Sequence, residues 1–178
     1  GITFENPSPP ARGSRVPGWP VTRARPIRHN EIMTTAEAGM TVAIRLKREH
    51  IDAMVAHALE DAPIECCGLL AAKDGVVAAV RRAKNKEASP YRFSIAPLET
   101  RKHEQPLDDA GMELVGFYRS HTGSHAVPSP TDIRMMGPFF GPPFVHFVIG
   151  VADREKPEVR VWHIDGSERV ERTFQVVD

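Results

Sequence analysis

The sequence predicts an α+β fold, a three-layer α-β-α sandwich around a mixed, mostly antiparallel sheet. Three observations point there. One segment places apolar residues at helical spacing, many short segments read as strands, and several of those strands are joined by turns of only a few residues. At 178 residues the chain suits one domain of ordinary size and is too short for two full ones.

The elements follow in order. Order is expected to begin near Thr41, with residues 1–40 a separate Pro- and Arg-rich tail. Val42, Ile44 and Leu46 alternate with Ala43 and Arg45, which predicts a short strand. Ile51, Met54, Val55, Ala58 and Leu59 then recur at i, i+3, i+4, i+7 and i+8, so Lys47 to Glu60 reads as an amphipathic helix that Pro63 helps to end. Cys67 to Ala72 is an apolar strand, Lys73-Asp74-Gly75 a hairpin turn and Val76 to Val80 the returning strand. Tyr91 to Ile95 is expected as a strand, and Pro97 to Gly111 as a helix interrupted by Pro106. Met112 to Tyr118 reads as a buried strand. Phe144 to Ala152, Glu158 to Ile164 and Val170 to Val177 complete the strands, with a turn at Asp165-Gly166. No internal repeat is visible.

Composition excludes several function classes. Lys+Arg equals Asp+Glu at 23 each, so a nucleic-acid binder working by bulk charge is not expected. No run approaches the eighteen or so apolar residues of a membrane span. Residues 1–40 carry Pro7, Pro9, Pro10, Pro17, Pro20 and Pro26, five arginines against three acids, and no apolar period. Such a segment cannot bury enough surface to offset its ordering entropy. It begins with Gly1, which points to a processed end or a cut tag, with Met33 or Met40 as a natural start. Cys66 and Cys67 are adjacent and poorly placed to bridge each other. Two free thiols and no secretory apolar segment point to a reducing, cytoplasmic setting.

Two stretches carry chemistry. In Pro63-Ile64-Glu65-Cys66-Cys67-Gly68-Leu69-Leu70, an acid stands at the start of an apolar strand, where its surroundings can raise its pKa. Read alone it is an ordinary helix-to-strand turn carboxylate facing water. In Gly116-Phe117-Tyr118-Arg119-Ser120-His121-Thr122-Gly123-Ser124-His125-Ala126-Val127-Pro128-Ser129-Pro130-Thr131-Asp132, a buried strand runs into a loop bearing His, Ser and Asp. Read alone, Ser129 is a helix N-cap, Pro130 the first helical residue and Asp132 the other half of a capping pair. His121 alone reads as a hydrogen-bonded surface histidine at a strand end.

Together the two stretches resemble the JAMM (MPN) metallopeptidase family. Its pattern is a Glu before a Cys-Gly-Leu-Leu-like strand, then His-x-His-x7-Ser-x2-Asp some fifty residues later. Glu65 matches the first Glu; His121, Ser129 and Asp132 match the second His, the Ser and the Asp in register. The likeness covers residues 41–178 and is greatest to the short bacterial members, which trim the C-terminus of ubiquitin-like sulfur-carrier proteins. It implies the cytidine-deaminase-like version of the sandwich and a catalytic Zn2+ with one open position for water. It also implies Glu65 as general base and acid, His121 and Asp132 as metal ligands, and Ser129 as oxyanion donor.

The pattern breaks at Arg119, which stands where the family has its first metal-binding His; Thr122 replaces the usual following Pro. A guanidinium cannot serve as a ligand. Three readings follow: His125 supplies the missing ligand; zinc is held more weakly by His121, Asp132 and water; or Arg119 pairs with Glu65 or Asp132 and the domain is a metal-free binding module. The expected function is zinc-dependent amide or isopeptide hydrolysis at the C-terminal tail of a ubiquitin-like partner, with no nucleic acid and no membrane involved. The alternative is the metal-free module. Other features read as structural: Cys66 and Cys67 as buried thiols, His146 as a satisfied strand histidine, His103 as a solvated helix residue. The run Gly137-Pro138-Phe139-Phe140-Gly141-Pro142-Pro143 is either a rigid linker or an exposed aromatic patch for a partner.

Overall fold

The structure, a computed structural model, describes residues 43–84 and 107–178. The expectations for residues 1–40, for a strand at Tyr91–Ile95, for His103 and for most of the Pro97–Gly111 helix lie outside the described residues. Of that helix only a turn at 107–109 falls within them.

Strand β1 (Ile44–Lys47) leads directly into helix α1 (Arg48–Asp61). The helical spacing seen in the sequence delivers Ile51, Met54 and Ala58 to one buried face. Strand β2 (Cys67–Lys73) is buried at every position but the last, and turns back at Asp74-Gly75 into β3 (Val76–Ala83). Strand β4 (Glu113–His121) ends in six buried residues. Helix α2 (Pro130–Met136) follows, then β5 (Val145–Gly150), β6 (Glu158–Asp165), β7 (Glu168–Arg172) and β8 (Phe174–Val177). Gly166 turns the β6–β7 hairpin at φ +56°, where a side chain would be strained.

The eight strands form one mixed sheet in the order β7-β6-β5-β4-β2-β3-β1-β8. Pairs β1–β3, β1–β8 and β4–β5 are parallel; β2–β3, β2–β4, β5–β6 and β6–β7 are antiparallel. Side-chain alternation divides the core into two faces. Leu46, Met54, Ala58, Leu70, Tyr118, Phe147 and Val161 pack with α1 on one face. Cys67, Leu69, Phe117 and Ile164 pack with Met136 of α2 on the other. Gly68 lies between: a Cβ there would meet Tyr118 Cε1 at 2.1 Å and the Arg81 carbonyl oxygen at 2.3 Å, so only glycine allows this approach.

The expected single strand Val170–Val177 is two strands, and they lie at opposite ends of the strand order. β7 pairs with β6, whereas β8 pairs with β1. Arg172 and Phe174 are two residues apart, a span of at most about 7 Å, so the sheet curls until its edges come that close. Phe174 packs against Phe147, ring centroids 5.7 Å apart, in the cluster that also holds the apolar face of α1. A period-2 pattern reports which face a residue occupies; it does not report which edge the strand joins. β3 also runs three residues beyond its expected end because it stays paired to β2 as far as Ala83↔Cys67.

Candidate active site

The site is built where β2 begins and β4 ends. The antiparallel register sets Cys67 opposite Arg119. It continues backward: Ser120 N donates to the Cys66 carbonyl at 3.0 Å, and Cys66 N donates to Ser120 Oγ at 2.8 Å. One more step sets Glu65 opposite His121. Residues 65, 67, 119 and 121 share a strand face by alternation, the face on which α2 packs. Ser120, which the sequence reading passed over, is the clamp that fixes this register; a hydroxyl between two candidate site residues was the only signal of it.

Helix α2 brings the other half. Ser129 is its N-cap: Ser129 Oγ accepts from Asp132 N at 3.2 Å, Ser129 N donates to Asp132 Oδ2 at 2.6 Å, and Pro130 takes the first helical position. The capping box aims the Asp132 carboxylate back at the strand ends. Its Oδ2 also meets His121 Nε2 at 3.1 Å, and its Oδ1 lies 2.5 Å from Arg119 Nη1. The Arg119 and Asp132 side chains are only 3% and 6% exposed. His121 Nδ1 is 3.3 Å from the His125 carbonyl oxygen and 3.4 Å from Ser124 Oγ.

Glu65, Arg119, His121, Ser129 and Asp132 therefore meet, and His125 does not. Its imidazole turns outward, 83% exposed, and pairs with Glu158 at 2.8 Å. Glu158 also accepts from Ala126 N, and Trp162 Nε1 donates to the Ala126 carbonyl at 3.0 Å, so β6 pins the loop in that orientation. As folded, the His125 imidazole points away from His121 and Asp132.

Charge in the site is unevenly held. Burial raises the Glu65 carboxyl to about 7; the Asp132 charge adds to the rise, and His121 and Arg119 oppose it. Burial alone would raise Asp132 as well, but the hydrogen bond from His121, the Arg119 charge and the Ser129 donors outweigh it and leave it lowered. Burial lowers Arg119 to about 10, against the pull of Asp132 and Glu65, so it stays protonated at neutral pH. Cys66 and Cys67 are wholly buried, pushed up to about 11 and about 12 by that burial, and are inert thiols as read. His146 is 2% exposed with Nε2 2.8 Å from the Phe140 carbonyl, a satisfied strand histidine. The aromatic run divides: Phe140 packs on Phe117 at 4.4 Å, whereas Phe139 is 74% exposed.

Residues 47–165 match the family described as prokaryotic homologs of the JAB domain. The chain belongs to that family. It is 31% identical over 143 residues to the CysO-cysteine peptidase of Mycobacterium tuberculosis, covering 79% of this chain and 95% of the relative. It is 25% identical over 130 residues to a desampylase of Pyrococcus furiosus, covering 73% and 88%. The solution structure of DSY2949 from Desulfitobacterium hafniense superposes with a TM-score of 0.68 at 29% identity, covering 76% of this chain and 93% of that one. This prokaryotic JAB chain thus has peptidases among its relatives and shares their α+β fold.

The likeness implies zinc, and the residues as folded do not fit it. Zinc needs lone pairs from imidazole or carboxylate. Arg119 offers none, and His125 faces away. Among the described residues no three His, Cys, Asp or Glu side chains converge as a metal's ligands would.

Proposed function

We propose that this chain is an amide hydrolase of the JAMM type acting at the C-terminal tail of a ubiquitin-like, sulfur-carrier-type protein, the tail lying extended across the site. The observation that carries the reading is Glu65, a buried carboxyl held at about 7 beside Arg119, His121 and Asp132. A base poised near neutrality suits proton transfer from water. The peptidase and desampylase among the relatives support the reaction class.

In this reading water attacks the tail's amide carbonyl while Glu65 takes its proton. The C–N bond then breaks, and Glu65 returns the proton to the leaving amine. Negative charge on the carbonyl oxygen meets the fixed charge of Arg119 and the Ser129 hydroxyl, whose oxygen already accepts from Asp132 N and whose proton is available to donate. Asp132 is a positioning residue that holds the guanidinium, and His121 steadies the Asp132 carboxylate.

The test is a fusion of a bacterial ubiquitin-like sulfur-carrier protein to a C-terminal reporter peptide, with products read by mass spectrometry. Cleavage at the tail junction is expected, and Glu65→Gln should lower the rate about 10²–10⁴-fold. A second reading, a non-catalytic module that binds the same tail, is favoured by the buried Arg119–Asp132 pair. Wild-type protein that binds the fusion and leaves it intact selects the module.

A further inference from the structure

We infer that Arg119 is the built-in cation of this site: its guanidinium takes the place a divalent metal would need, the chain holds the site together without zinc, and the single substitution Arg119→His opens it to zinc. This stands apart from the choice between hydrolase and binding module.

The first argument is charge. Asp132 is the anion around which the site is organised, and its Oδ1 is already met by Arg119 Nη1 at 2.5 Å, both side chains nearly dry. A buried carboxylate needs a paired cation, and the guanidinium fork with its permanent charge is well suited to supply one. A metal ion beside it would meet a like charge in a medium that screens little.

The second argument is geometry. His121 is already oriented as a ligand imidazole is. Its Nε2 faces Asp132 Oδ2 at 3.1 Å, and its Nδ1 backs onto the His125 carbonyl at 3.3 Å, the kind of rear hydrogen bond that fixes ligand histidines. Asp132 is oriented by the Ser129 cap. Two donors therefore stand in place. Position 119 precedes His121 by two residues on the same strand, so a side chain there projects from the same face. An imidazole at 119 would add the third donor and remove the competing cation in one step.

The test uses the full chain, purified without chelator or His-tag, and titrated with zinc against a chromophoric chelator, with metal content read by mass spectrometry. Wild-type protein is expected to hold no stoichiometric zinc and to melt at the same temperature with and without chelator. Arg119→His is expected to bind about one zinc per chain, at least ~100-fold more tightly than wild type, since even a supporting partner of a metal ligand is worth about 10- to 100-fold. Chelator should then lower its melting temperature, and adding His121→Ala should abolish the gain. One zinc per wild-type chain that His121→Ala removes would overturn the inference, as would a folded Arg119→His with no gain in affinity. Should Arg119→His fail to fold, wild type against His121→Ala decides: equal, weak zinc uptake upholds the inference, and a difference in stoichiometric uptake sinks it. Zinc uptake by wild type would leave the hydrolase reading standing, and an absence of cleavage would leave this inference standing, so the two failures are distinguishable.

Discussion

Asp132 shows how few atoms decide this site. Two carboxylate oxygens face a guanidinium, an imidazole and a backbone N–H, so its ionised form is held from three sides. Glu65, two residues before β2, has the reverse fate: burial costs its charged form more than its neighbours return. That asymmetry has a pH signature. Glu65 titrates near 4.5 in the unfolded chain and near 7 in the folded one, so the folded state holds its proton more tightly. The stability this confers is complete below pH 4.5 and is lost as pH rises through 7, an effect of roughly 3 kcal/mol. His146 acts in the opposite direction. Burial lowers it from 6.5 to about 4, so its contribution is present above pH 6.5 and lost as pH falls through 4. Subtracting Glu65→Gln isolates the first effect. The wild-type minus variant unfolding free energy, from urea melts, is expected to fall between pH 4.5 and above 7. A flat difference would mean that Glu65 is not buried in this way.

At the scale of elements, α2 is only seven residues long and depends on its start. Helices this short gain little from propagation, so the Ser129 cap and Pro130 matter more than propensity. Ser129→Ala is expected to cost about 1 kcal/mol, within the usual 0.5–2 range for a lost N-cap, and to loosen the Asp132 carboxylate at the same time. Urea denaturation checks the first effect. The capping role and the site role read from the same residues are compatible: the cap is what aims Asp132 at His121. Strands β2 and β4 contribute differently. Their register, extended by Ser120 to Cys66, sets Glu65 opposite His121 across 56 positions of sequence. The sequence motif announced that these residues belong together, and the pairing is the physical means.

For the molecule as a whole, the closing of the sheet is the feature to test. β8 covers β1 at one edge while following β7 at the other, and half-buried Phe174 closes the core over Phe147. Phe174→Ala is expected to cost about 1–1.5 kcal/mol, roughly half of what full burial of such an apolar side chain contributes, and thermal melting measures it. A loss within the ±0.5 kcal/mol or so of an ordinary surface change would show that β8 does not seal the sheet.

Much of this architecture was legible in the sequence for a plain reason: periodicity is local. The α1 stripe at Ile51, Met54 and Ala58, the Lys73-Asp74-Gly75 hairpin, the buried runs of β2, β4 and β5, and the Ser129-Pro130-x-Asp132 cap are each set by residues within a turn or two of one another. Locality did not group Glu65 with His121, Ser129 and Asp132: Glu65 lies 56 positions before His121, and only the resemblance to a family motif set them side by side. Tertiary structure decided what depends on distant partners. It split the last strand between two edges, because strand order is a matter of which neighbour offers free backbone groups, not of alternation. It turned His125 out to Glu158, because the loop is tied to β6 by Trp162 and Glu158, thirty-odd residues away. And it set Asp132 against Arg119, a pairing the sequence had left open, because the capped end of α2 brings a carboxylate oxygen to 2.5 Å from the guanidinium.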